Sequence, residues 1–264
     1  MDLQLNEKKV FISGSTAGIG FGVAQSFLRE GASVWINGRS ESSVAKAIER
    51  LESEFPNAKV QGIAADFADK ASIELLIQQL PEIDILINNV GIYSSQSFFE
   101  TPDEEWQRQF EVNVMSGVRL ARHFLPKMLA QNWGRILFVS SECASIVPDD
   151  LIAYSTTKAA LLAVSRGLAQ LTKGSGVTVN TVLPGSTMTE GAQDFLAALA
   201  EKEQKSVEQA EADFFANIRT SSLLGRFAQV EEIANTIVYF SSPHAAATNG
   251  AAIKIEGGST GGIL

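Results

Sequence analysis

Tyr154 and Lys158 stand four residues apart in Tyr154-Ser155-Thr156-Thr157-Lys158, a separation that puts both side chains on one face of a helix. A cation one turn from a phenol favours the phenolate and is expected to draw its pKa below the ordinary value of about 10. The tyrosine would then donate and accept a proton near neutral pH. The same spacing fits a half-exposed tyrosine beside a solvated lysine. The surrounding residues must decide between the two.

A second chemical stretch is Gly14-Ser15-Thr16-Ala17-Gly18-Ile19-Gly20, set between an apolar run and an amphipathic segment. Glycines in that position let the backbone approach a pyrophosphate, and a helix N-terminus adds free N–H groups and a positive dipole end. The spacing is G-x-x-x-G-x-G, not the more general G-x-G-x-x-G. Further on, Ile36-Asn37-Gly38-Arg39-Ser40 offers no acid for a ribose 2′-hydroxyl. Arg39 has the planar fork that pairs with a phosphate, so NADP(H) is expected over NAD(H). The plain alternative for Arg39 is a surface-loop arginine.

The elements that must position these groups alternate in kind. Strands are expected at Lys9–Ser13, Ala32–Asn37, Lys59–Ala64, Ile83–Ile87, Gly134–Ser140, Val177–Val182 and Ala252–Ile255. Helices are expected from Ile19 to Arg29, Glu41 to Phe55, Ser72 to Leu80, from Asp103 on through Val114–Ala130, at Ile152–Thr172 and at Val230–Phe240. Such alternation predicts a parallel sheet wrapped on both faces, and right-handed crossovers leave a doubly wound arrangement. The expected fold is therefore one α/β domain over residues 1–264, Rossmann-type, with a seven-stranded parallel sheet. Met188–Ser222 breaks the rhythm and is itself helix-like, with Phe195, Leu199, Val207, Phe214 and Ile218 at helical spacings and Ser206 with Gln209 as a capping box. It is expected to be a helical lid over the ligand crevice; a peripheral hairpin burying its phenylalanines is compatible with that reading.

Composition narrows the field. The chain has 264 residues, 45% hydrophobic and 19% charged, as in ordinary soluble proteins. Its net charge of −9 disfavours nonspecific nucleic-acid or anionic-membrane partners. No apolar run approaches the roughly 20 residues needed to cross a bilayer, and the N-terminus lacks a signal-peptide pattern. The single cysteine, Cys143, suits a reducing compartment, so a cytoplasmic location is expected. Neither His123 nor His244 has neighbours spaced as metal ligands, and no metal is expected.

Taken together, these residues resemble the short-chain dehydrogenase/reductase family. The resemblance runs nearly end to end: Gly14-x-x-x-Gly18-x-Gly20, Asp66, Asn88-Asn89-Val90-Gly91, Asn113, Ser141, Tyr154-x-x-x-Lys158, Pro184-Gly185 with Thr189, and Glu256-Gly257-Gly258. Ser141 precedes Tyr154 by thirteen residues, the family's usual interval. The resemblance implies a carbonyl or secondary-alcohol oxidoreductase. Ser141 would bind the substrate oxygen and Tyr154 would move the proton. Lys158 would hold the nicotinamide ribose and stabilise the tyrosinate, and Asn113 would hold a water linking Lys158 to solvent. It also implies cofactor contacts from Gly14, Ser15, Thr16, Gly18, Ile19, Gly20, Asp66, Asn89, Gly91, Thr187 and Thr189. The sequence departs from the family at Ser13, usually threonine, at Val90, usually alanine, and at Thr187, usually aliphatic.

The substrate pocket is expected from Tyr93–Gln96, Glu142–Pro148, Ser186 and the lid, with Cys143 and Ile146 facing the substrate. A free small ketone or alcohol ranks ahead of a 3-oxoacyl thioester. A carrier-protein partner calls for a basic docking patch, and only Arg119, Arg122, Lys127 and Arg135 offer one. A non-catalytic nucleotide-binding regulator and a scaffold acting through its helical surface are the rivals from other classes. Family members pair through the helices corresponding to Val114–Ala130 and Ile152–Thr172, so a homo-oligomer, tetramer or dimer, is expected.

Overall fold

The computed structural model describes residues 1–262; residues 263 and 264, the end of the expected domain, lie outside the described residues. In chain order the elements are β1 (Lys9–Ile12), α1 (Gly18–Arg29), β2 (Ser33–Gly38), α2 (Glu41–Glu54), β3 (Val60–Ala64), α3 (Lys70–Gln79) and β4 (Ile85–Asn88). Then come α4 (Asp103–Phe110), a π-helical turn (Glu111–Met115), α5 (Ser116–Ala130), β5 (Gly134–Val139), the short α6 (Cys143–Ile146) and α7 (Ile152–Leu171). The chain ends with β6 (Val177–Pro184), α8 (Glu190–Glu203), α9 (Val207–Asn217), α10 (Val230–Phe240), a 3₁₀ turn (Pro243–Ala245) and β7 (Ala252–Ile255).

The seven strands form one parallel sheet in the order β3-β2-β1-β4-β5-β6-β7. Alternation along each strand sends side chains to opposite faces. Val10, Ile12, Ile85 and Ile87 enter a core with Phe27 of α1 and Ile233 and Ile237 of α10. Phe11, Leu86, Ile136 and Phe138 enter a second core with Phe124 and Met128 of α5 and Leu161 of α7. Strands buried on both faces must be nearly all apolar, and β4 and β5 are buried at every residue. Among the described residues no helix is long and apolar enough to cross a membrane.

The boundaries of the strands and helices fall within two residues of those expected, and the offsets have local causes. α3 starts earlier because the Asp69 side chain accepts from the Ala71 amide and caps it. β6 continues to Pro184 because β7 pairs with it up to Pro184–Ile255. The expected continuous helix from Asp103 to Ala130 is interrupted by the π turn, which holds Asn113. Such one-turn insertions are frequent at functional sites.

The departure at 188–222 is a helical hairpin of α8 and α9. Ser206 and Gln209 cap α9 reciprocally. Leu196, Ala200, Ala210, Phe214, Phe215 and Phe227 form its own small core. Val207 and Ile218 are exposed, because they stand at the first residue of α9 and just past its last.

Candidate active site

The strand order reverses between β1 and β4, and a crevice opens at their carboxyl ends. Two cavities occupy it. One, about 490 Å³, is lined by Gly14, Thr16, Gly38, Arg39, Asp66 and Val90 among others. The other, about 470 Å³, is lined by Ile19, Ser141, Tyr154, Lys158, Thr187, Thr189 and residues of the hairpin. Asn89 and Gly91 line both, so the two form one elongated trough.

The turn after β1 is fixed from the side. Gly14 has φ +62°, and a Cβ there would stand 3.0 Å from Val90 Cα, so only glycine fits without strain. Asn89 Nδ2 donates to the carbonyls of Ser13 and Gly14. Ser13 Oγ accepts from the amides of Asn89 and Val90, tying the ends of β1 and β4 together. Ser15 turns inward: its hydroxyl donates to the Ile12 carbonyl and accepts from the Asn37 amide, and it lines neither cavity. Gly20 packs against Asn89, where a Cβ would come within 2.5 Å of Nδ2. The Gly18 amide donates to Glu190 Oε2 at 2.9 Å, a contact between residues 172 positions apart that no spacing pattern marks.

At the far end of the trough, Asp66 Oδ1 accepts from the Ala68 amide and Arg39 follows β2 directly. At the near end, Thr187 Oγ1 donates to the Gly185 carbonyl, and Thr189 Oγ1 accepts from the Ala192 amide as the cap of α8.

Ser141 lies just beyond β5, and its Oγ accepts from the Cys143 amide at 3.1 Å. Tyr154 and Lys158 share one face of α7, and the Tyr154 ring meets Tyr93 edge-on at 5.8 Å. Lys158 is buried and its Nζ donates to the Val139 carbonyl at 2.9 Å. Asn113 donates to the Ile92 carbonyl and to Thr157 Oγ1, and accepts from the Ile92 amide. It thereby holds the segment after Asn89 against α7. Gly91 sits between these groups: a Cβ there would be 3.0 Å from Lys158 Nζ and 3.7 Å from Asn113 Oδ1.

The electrostatics correct one expectation. Lys158 does not draw the Tyr154 phenol down in this geometry. Desolvation raises the phenol above its ordinary range, Cys143 adds to the rise, and only the neighbouring Ser141 hydroxyl opposes it. Lys158 is itself pulled down to about 8 by burial. Both groups lie in a low-dielectric site that disfavours charge, and the ammonium is 5.5 Å from the ring centroid. Cys143 is raised by burial as well, so its thiol is protonated near neutrality. Of the two histidines, His123 packs edge-on against Phe124 and His244 Nε2 meets the Asp2 carbonyl.

Within the expected pocket ranges, two charged residues stand out only in three dimensions: Glu142, next to Ser141, and Arg219, beyond α9, form an ion pair at 3.3 Å. They are separated by 77 residues, and no spacing rule connects them.

A trough of this form is consistent with what the chain is similar to. Residues 14–260 match the family model described as enoyl-(acyl carrier protein) reductase. The uncharacterised oxidoreductases YvrD and YvaG of Bacillus subtilis (strain 168) are 47% and 43% identical, each alignment covering 98% of both chains. L-sorbose reductase from Gluconobacter frateurii, solved with NADPH and L-sorbose, superposes with a TM-score of 0.93 over 100% of both chains at 30% identity. The chain belongs to the short-chain dehydrogenase/reductase family of oxidoreductases.

Proposed function

We propose that this chain is an NADP(H)-dependent oxidoreductase that interconverts a free small ketone and its secondary alcohol. The observation that carries the reading is the convergence of Ser141, Tyr154 and Lys158 on one end of a trough whose other end is lined by Gly14, Thr16, Arg39 and Asp66. The chain's residues fit a dinucleotide. Gly14 and Gly91 leave room where a side chain would intrude, and Ala17 and Ile19, at the start of α1, line the trough. When bound, the nicotinamide ring supplies or accepts the hydride.

The protein's part is to place and polarise. Ser141 Oγ accepts from Cys143, which leaves its proton free to donate to a substrate oxygen. Tyr154 carries the transferred proton, and its raised pKa keeps it protonated, as carbonyl reduction requires. Lys158 is proposed to hold the cofactor ribose and to stabilise the tyrosinate left after proton transfer. Asn113 fixes Gly91–Ile92 beside Lys158 and is proposed to lead its proton out by way of a water. Thr187 and Thr189 are proposed to hold the carboxamide. Gly18, Ile19, Gly20, Asn89 and Asp66 are proposed to line the rest of the cofactor, with Ser15 acting only through the turn it braces. The α8–α9 hairpin is proposed to act as the lid.

NADP(H) is favoured because Arg39 lines the trough and no acid stands beside it at the end of β2. The similar L-sorbose reductase holds NADPH, which supports the same choice. A carrier-protein substrate is disfavoured by the fate of its candidate patch. Arg135 is 1% exposed, bound to the carbonyls of Ser242, Gly134 and Gly176. Arg119 is paired with Glu111. Arg122 borders an apolar groove with Val118, Leu125, Pro126, Val164 and Leu168. That groove lies between α5 and α7, and a second copy of the chain is proposed to cover it.

The test is a panel of ketones with NADPH or NADH, followed by absorbance, together with cofactor titrations of the parent and Arg39→Ala. The reading expects ketone-dependent NADPH oxidation and a loss of about tenfold in NADPH affinity on Arg39→Ala, with NADH nearly unchanged. Tight NADPH binding without turnover would favour a regulator. No nucleotide binding at all would favour a scaffold.

A further inference from the structure

The Glu142–Arg219 pair takes no part in the hydride chemistry, yet both residues line the cavity of Ser141 and Tyr154. Glu142 is 3% exposed, and its amide donates to the Pro184 carbonyl. Its Oε1 accepts from Arg219 Nε at 3.3 Å and from Ser186 Oγ at 3.4 Å. Its Oε2 is buried with no hydrogen bond. Ser259 lies beside this carboxylate, but its hydroxyl donates to the Glu256 carbonyl instead. Gly185 makes the fit possible, since a Cβ there would stand 3.0 Å from Oε2.

Arg219 reaches the pair from the opposite wall. Its amide donates to the Phe214 carbonyl and its guanidinium carbon lies 5.7 Å from the Phe214 ring. Among the described residues its two terminal nitrogens make no hydrogen bond, so the Nε contact orients the fork and leaves its donors to the cavity. Phe195, Phe214 and Phe227 supply apolar wall around it. A wholly apolar substrate closing this space would strand those donors away from water, at a cost that a substrate acceptor would remove.

We infer that Arg219 is a specificity-determining residue, held in place by Glu142 as a positioning residue, and that it donates to an acceptor oxygen on the substrate. The substrate class is then oxygen-substituted ketones, polyhydroxylated or carboxylated, over plain alkyl ketones. This rests on the reductase reading above. A hydroxyl and a carboxylate present the same acceptor chemistry, and the test separates them.

Three six-carbon ketones serve as probes with NADPH: 2-hexanone, L-sorbose and 5-oxohexanoate. The parent should prefer one of the oxygenated probes over 2-hexanone by at least about tenfold in kcat/KM. Preference for L-sorbose identifies a hydroxyl, and preference for 5-oxohexanoate a carboxylate. Arg219→Met should lower kcat/KM for the preferred probe by roughly 10- to 100-fold, mainly through KM, while changing 2-hexanone and NADPH affinity by less than about threefold. Because Arg219→Met strands a buried carboxylate, Glu142→Gln/Arg219→Met should show the same selective loss in a better-folded background. A parent indifferent to the three ketones, or variants that lose all three equally, would overturn the inference and leave the reductase reading standing. No turnover of any ketone with NADPH bound would overturn both.

Discussion

Lys158 Nζ donates to the Val139 carbonyl at 2.9 Å while lying 5.5 Å from the centre of the Tyr154 ring. The ammonium is thus anchored to the end of β5 by its own hydrogen bond. Tyr154 and Lys158 therefore share a helix face without forming a direct pair. Burial of each, more than their mutual attraction, sets their protonation.

That arrangement has a signed consequence for stability. Lys158 titrates at about 8 in the folded chain against an ordinary 10.5. Between those values the unfolded chain binds more protons, so this group's contribution to stability rises with pH across the window. Below about pH 8 the buried charge carries its full penalty. Lys158→Met should therefore be more stable than the parent at pH 7 by about 1–2 kcal/mol in urea unfolding, after allowing for the lost hydrogen bond. The advantage should shrink towards pH 10. A gap independent of pH would contradict the assigned shift.

Glu190 places a carboxylate on the Gly18 amide at the start of α1, and Arg50 lies 3.9 Å from its other oxygen. Anions are stabilised at a helix N-terminus, and a second one nearby is repelled. Glu190→Gln should tighten NADPH binding by about two- to fivefold at low salt, with the gain fading as salt rises. Weaker binding in that variant would mean that Glu190 supports the cofactor end of the trough by holding α8 to α1.

The groove between α5 and α7 exposes Leu171 beside Val164 and Leu168. A charge set there should oppose coverage by a second copy. Val164→Glu is expected to lower the mass found by light scattering while the circular dichroism stays that of a folded α/β protein. An unchanged mass would place the association elsewhere, and a monomeric parent would remove it.

Much of the fold could be read from the sequence because its signals are local. Strand β7 and helix α10 lie where the apolar pattern put them, and Ser206 and Gln209 form the capping box that their spacing predicts. What could not be read depends on contacts between distant segments or on backbone detail. The π turn around Asn113 is a detail of backbone hydrogen bonding that no residue type in Glu111–Met115 marks. Ser15 stands inside the glycine turn, yet the Asn37 amide draws its hydroxyl into the core. Thr157 emerges as the partner that fixes Asn113 only once α7 is packed against the π turn. The Glu142–Arg219 pair joins the loop after β5 to the hairpin, and neither residue carries a pattern of its own.

The central claim is that Tyr154 carries the proton in a hydride-transfer reaction, and removing its hydroxyl tests that most directly. With a ketone that the parent reduces, Tyr154→Phe should lower kcat by at least about a thousandfold, since it removes the group that general-acid catalysis depends on. NADPH affinity by fluorescence titration should change less than about threefold, because the ring remains and only one hydroxyl is lost. Turnover in Tyr154→Phe equal to the parent's would contradict the account.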